Sequence, residues 1–89
     1  MNMNKWTLVA AYGTIESPIE TIVGYADNDA ELLLGAHKAV EGHDDPWAMD
    51  AWNIIHRNRP IQNISLNSGI HKGFRIGGWD GGSVYAVLN

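Results

Sequence analysis

The sequence predicts an α+β fold: a mainly antiparallel sheet in the order β-β-α-α-β-β-β, with two helices packed on one face. Three observations carry that expectation. Apolar residues alternate with period two near both ends of the chain, the middle third repeats them at helical spacing behind two N-capping residues, and Gly, Pro, Asn and Asp punctuate the runs. At 89 residues the chain suits one compact domain spanning 1–89, with no repeat, low-complexity tract or interdomain linker.

Residues 5–12 set Trp6, Leu8, Ala10 and Tyr12 on one side and Thr7, Val9 and Ala11 on the other, the pattern of a half-buried strand. After the turn residues of Gly13 to Pro18, Ile19, Thr21, Val23 and Tyr25 form a second alternating set, so the two strands read as a hairpin. Asn28 then stands three residues before Glu31, a capping-box-like start for a helix over about 29–41, with Leu32, Leu33, Ala36, Ala39 and Val40 on its core face and Gly42 at its C-terminal cap. Leu34 falls on the polar face beside Glu31, Lys38 and Glu41, which makes it a candidate exposed apolar residue.

Asp45-Pro46 reads as a second helix start, acid at the N-cap and proline at the first helical position, for a helix over about 46–58. Its expected core face is Trp47, Ala48, Ala51 and Ile55, with Met49, Asp50, Asn53, His56 and Arg57 turned outward and Pro60 helping to stop it. The last third is strand-like around Ile64 and Leu66, Phe74 and Ile76, and Val84, Ala86 and Leu88. Asp80-Gly81 is a two-residue hairpin signal that would place Ile76 opposite Tyr85 and Phe74 opposite Val87.

Charge is segregated along the chain. Residues 1–50 hold two lysines against nine carboxylates, a net −7, whereas residues 51–89 hold Arg57, Arg59, Lys72 and Arg75 against Asp80 alone, a net +3. Such an asymmetry steers encounters with partners, and the same pattern allows head-to-tail homodimerisation or pairing within the monomer. With no cysteine there is no disulfide, thiolate metal site or cysteine nucleophile. The absence of a long apolar run, in the body or at the start, points to a cytoplasmic protein that does not enter the membrane. Trp6, Trp47, Trp52 and Trp79 are core in the plainer reading and, for one or two of them, exposed anchors in the sharper one.

The polar constellations stop short of catalysis. His37 and His43-Asp44-Asp45 offer nitrogen and oxygen donors, but in no established ligand spacing, and an interhelix turn is polar anyway. Asp50, Asn53, His56 and Arg57 share a helix face without a nucleophile, on a surface expected to be convex and wet. The glycine-rich run Gly73 to Ser83 resembles a phosphate loop only superficially, because a β-prone run and not a helix follows it. Arg57, Arg59, Lys72, Arg75, Trp79 and Tyr85 would make a basic strip with stacking platforms for a ligand or single-stranded nucleic acid. The net charge of −4 opposes a phosphate backbone, so direct nucleic-acid binding is not expected.

By elimination, small size, acidic balance, many tryptophans and no catalytic constellation point to a non-enzymatic protein, without cofactor or metal, that acts by binding another protein. In size and charge the chain resembles small single-domain inhibitors of phages and other mobile elements, including anti-CRISPR and other anti-defence proteins, and immunity proteins that neutralise nucleases. No motif is shared, so no residues are carried over. The resemblance implies an inhibitor working in a bacterial host cytoplasm. The expected partner-binding surface comprises Glu31, Leu34, Lys38, Glu41, Asp44, Asp45, Met49 and Trp52, a carboxylate rim around apolar anchors that occupies a basic, nucleic-acid-binding surface of a bacterial enzyme or effector complex. The alternative is a small-molecule or nucleotide binder built on the glycine-rich C-terminal hairpin, or a single-stranded nucleic-acid binder using the basic strip.

Overall fold

The computed structural model describes residues 5–50 and 61–89. Strand β1 (Trp6–Gly13) pairs antiparallel with β2 (Pro18–Ala26), helix α1 (Asp29–Val40) follows, and the short β3 (Trp47–Ala48) precedes β4 (Gln62–Leu66), β5 (Gly69–Trp79) and β6 (Gly82–Leu88). The sheet runs β2-β1-β6-β5-β3, every pairing antiparallel, and β4 also pairs with β5. Gly73 pairs with Val87 on one edge and Gln62 on the other, so β4 and β3 share the edge of β5 that β6 leaves free.

Among the described residues there is one helix, lying on one face of a mostly antiparallel sheet, and the expectation of two helices packed on it is corrected. Leu32, Ala36 and Val40, spaced i, i+4, i+8, bury themselves in a core with Trp6, Leu8, Phe74, Ile76, Val84 and Ala86. The leucine, valine, isoleucine and phenylalanine side chains among these contribute roughly 1.5–3 kcal/mol each when fully buried, the alanines less. Gly35 lets the helix approach closely, since a Cβ there would run into Leu8 Cδ1. The helix starts as its sequence predicts: Glu31 N–H donates to Asn28 Oδ1 at 2.9 Å, and Glu31 Oε2 accepts from Asp27 N–H at 2.8 Å. It ends one residue before the expected boundary, with Gly42 at φ 82°.

Where a second helix was expected, Asp45 adopts a left-handed φ of 50° and Trp47–Ala48 joins the free edge of β5 opposite Gly78 and Gly77. The two glycines explain the substitution of strand for helix. A Cβ at Gly77 would stand 2.9 Å from the Trp47 carbonyl oxygen, and one at Gly78 3.1 Å from Trp47 Nε1. Asp80 N–H donates to the Asp44 carbonyl at 2.8 Å and Met49 N–H to that of Ile76 at 2.9 Å, so the segment after α1 has sheet partners for its backbone. The remainder of the expected helix, from residue 51 to 58, lies outside the described residues.

Two bulges correct the expected registers. The turn at Asp80-Gly81 forms with Trp79 opposite Gly82, but one extra residue at Ile76 places Phe74 opposite Ala86 and Arg75 opposite Tyr85. Ile76 is thereby fully buried under α1 and Arg75 faces outward. In β2 the extra residue is Val23, which puts Tyr25 beside Thr7 on the face away from the helix, 70% exposed.

Before Gly73, over residues 69–72, β5 runs without β6 and pairs with β4 alone. This two-stranded arm reaches across the face opposite α1. At its tip Asn67 N–H donates to both carboxylate oxygens of Glu20 on β2, at 2.7 and 2.9 Å. Coverage by the arm accounts for Val9 and Val87 being buried on the face the helix does not touch. Among the described residues no helix is long and apolar enough to cross a membrane.

Candidate functional site

The period of α1 separates two sets of residues. Leu32, Ala36 and Val40 point into the core, and Glu31, Leu34, Lys38 and Glu41 are exposed on the other side, with Leu34 64% accessible. Asp44 and Asp45 continue this surface in the turn beyond Gly42, also exposed, as are Asp27 and Asp29 at the N-terminal end. Among the described residues no cation lies within ion-pair distance of any of these six carboxylates. Among the described residues, Lys72 and Arg75 of the basic half therefore do not pair with this acidic surface. Asp29 and Glu31 in the first turn favour the helix through its dipole, which accounts for two of the acids but not for Glu41, Asp44 or Asp45.

Two of the expected partner contacts separate from this set. Met49, just past the end of β3, donates its N–H to the Ile76 carbonyl, is 4% exposed and belongs to the core, so it cannot be a surface anchor. Trp52 lies outside the described residues. Trp47, expected on a core face, is 42% exposed with its ring 5.0 Å from the Arg75 guanidinium carbon.

The expected basic strip is dispersed among the described residues. Lys72 and Arg75 are three apart on β5 and so face opposite ways, while Arg57 and Arg59 lie outside the described residues. Arg75 and Tyr85 are cross-strand partners on the outer face, but the bulge turns Trp79 to the other side, where its ring stacks on His43 at 4.0 Å and tilts against Tyr12 at 6.0 Å. Arg75, Trp79 and Tyr85 still contribute to the lining of a shallow depression near the β5–β6 turn. No group of three His, Cys, Asp or Glu side chains able to hold a metal assembles among the described residues, and the His43 ring is engaged with Trp79.

The arm brings together polar residues that are far apart in the sequence. Besides the Glu20–Asn67 clasp, Ser68 Oγ and His71 Nε2 share a hydrogen bond at 2.7 Å, and Thr7 Oγ1 donates to Asn89 Oδ1 at 2.6 Å. The clasp spans 47 positions in sequence and the Thr7–Asn89 bond 82. The local signal available was the turn composition Asn67-Ser68-Gly69 between two apolar runs, which marks a hairpin tip but not its target. No family model, curated protein or solved structure matches this chain.

Proposed function

We propose that this chain acts by docking the acidic outer surface of α1 and the following turn on a basic surface of another protein, as a stoichiometric blocker of a nucleic-acid-binding site. One observation carries the reading: six exposed carboxylates, without a cationic partner among the described residues, lie on α1, at its two ends and in the following turn, with Leu34 exposed on the same helix. Unpaired charge of one sign steers encounter with the opposite sign and mimics the charge of a phosphate backbone, and an exposed leucine within that field supplies apolar contact after encounter. Lys38 within the same surface supplies a point of discrimination against a purely electrostatic fit.

The test is capture from bacterial lysate at low and moderate salt with the tagged chain, against a variant carrying Glu31→Gln, Glu41→Gln, Asp44→Asn and Asp45→Asn. These replacements are expected to preserve the fold. Gln retains the side-chain oxygen that accepts from Asp27 N–H, Asn tolerates the left-handed backbone at Asp45, and Asp44 accepts from Asp80 through its main chain. A partner retained by the wild type, lost by the variant and released from its nucleic acid at one equivalent supports the proposal. A partner retained equally by both refutes it.

A further inference from the structure

The arm roofs a half-open cavity of about 430 Å³ against the outer face of the sheet. Its apolar wall comes from Val9, Ile22, Leu66 and Val87, of which Val9 and Val87 are buried. At the arm tip the wall turns polar, with Glu20, Ser68 and His71 converging on one end. An apolar body with a few converging polar groups is the form of a small-molecule site, and this volume is at the lower end of such sites. At roughly 30 Å³ for each water-sized group it holds on the order of a dozen non-hydrogen atoms.

We propose that this cavity binds a small amphiphile with an aromatic or branched apolar body and a cationic amine head, placed beside Glu20. The head class follows from charge. Among the cavity's lining residues there is no lysine or arginine, and Glu20 presents a carboxylate there. That carboxylate accepts the Asn67 N–H through both oxygens, but a backbone amide carries no net charge, so the negative charge persists and each oxygen keeps acceptor capacity. An anionic head would meet it without compensation. The Ser68–His71 pair, held by its own hydrogen bond, adds neutral polar lining at the same end without a competing positive charge from lysine or arginine. This site is separate from the α1 surface and stands or falls independently of the docking proposal.

The experiment is an amide NMR titration of the full isotope-labelled chain with three probes sharing one body: phenethylamine, phenethyl alcohol and phenylacetate. Phenethylamine is expected to shift the Asn67, Ser68 and His71 amides saturably in the low-millimolar range, about threefold to fivefold tighter than phenylacetate, the factor one partly exposed charge contact supplies. Glu20→Gln keeps an acceptor for the arm and should bring the probes within about twofold of one another. Leu66→Trp on the arm and, should that variant fail to fold, Ile22→Trp on the exposed side of β2 should abolish the shifts by filling the space. Absence of saturable shifts with all three probes, amine affinity no greater than that of the other heads, or shifts that survive in a folded, filled variant would each overturn the assignment.

Discussion

Replacing Gly73 by alanine tests the geometry on which both the core and the arm depend. Gly73 is buried where β5 passes from β6 to β4, and a Cβ there would overlap the Ala86 carbonyl oxygen and stand 2.9 Å from Ala86 C and 3.1 Å from Val87 Cα. These are backbone atoms of β6, a strand held on its other edge by β1, so they cannot swing aside as a side-chain terminus does. Overpacking of this kind costs about 1–3 kcal/mol, and loosening one or two ladder hydrogen bonds adds about 1 kcal/mol each. Reduced freedom of the unfolded chain offsets about 0.5–1 kcal/mol. The net expectation is a loss of about 2–4 kcal/mol, or a fall in Tm of roughly 10–25 °C in a domain of this size. Gly24→Ala is the control, because its Cβ would meet only Leu8 Cδ1, at 3.4 Å, and should change stability by less than about 1 kcal/mol. Urea unfolding followed by tryptophan fluorescence measures both. If Gly73→Ala falls within about 0.5 kcal/mol of Gly24→Ala, β5 and β6 do not approach as described.

Further substitutions probe the elements separately. Asn28→Ala removes the acceptor for Glu31 N–H and should cost about 1 kcal/mol in the same unfolding assay, with Asn28→Asp largely retaining stability. Trp6 packs edge-on against Phe74 with its ring N–H buried and without a hydrogen-bond partner among the described residues, so Trp6→Phe should cost less than about 2 kcal/mol while Trp6→Ala costs about 3–5 kcal/mol; equal losses would show that the indole N–H finds an acceptor. Gly77→Val should push Trp47–Ala48 off the edge of β5 and accelerate hydrogen exchange at the Met49 amide, which donates to Ile76; an unchanged rate would refute the pairing.

The sequence was most legible where local chemistry and tertiary packing agree. Asn28, Glu31 and Gly42 delimit α1 through short-range hydrogen bonds and backbone preference, and the i, i+4 spacing of Leu32, Ala36 and Val40 identifies the buried stripe, so the exposure of Leu34 follows. The strand following Lys5 was equally plain. Asp45-Pro46 misled because proline suits a first helical turn and an edge strand alike, and the decision between them rests with Gly77 and Gly78, thirty residues away. The glycines themselves were visible, but as hairpin residues rather than as space for another strand. Neither bulge was legible, since a run such as Phe74 to Trp79 alternates acceptably in either register until burial under the helix selects one for Ile76. For the candidate surfaces, the acidic face of α1 was readable from helical period alone. Met49 was misplaced together with the helix that was to carry it, and the Glu20 clasp requires knowledge of where the arm folds.

The docking proposal is tested most directly by titrating the captured partner, purified, with wild type and the four-fold neutral variant at low and moderate salt. Four rim charges at about 0.2–1 kcal/mol each predict a loss of roughly fourfold to several-hundredfold in affinity, with a weaker dependence on salt in the variant. Affinities within twofold of each other, with the same salt dependence, would contradict the assignment of the acidic α1 surface as the docking site.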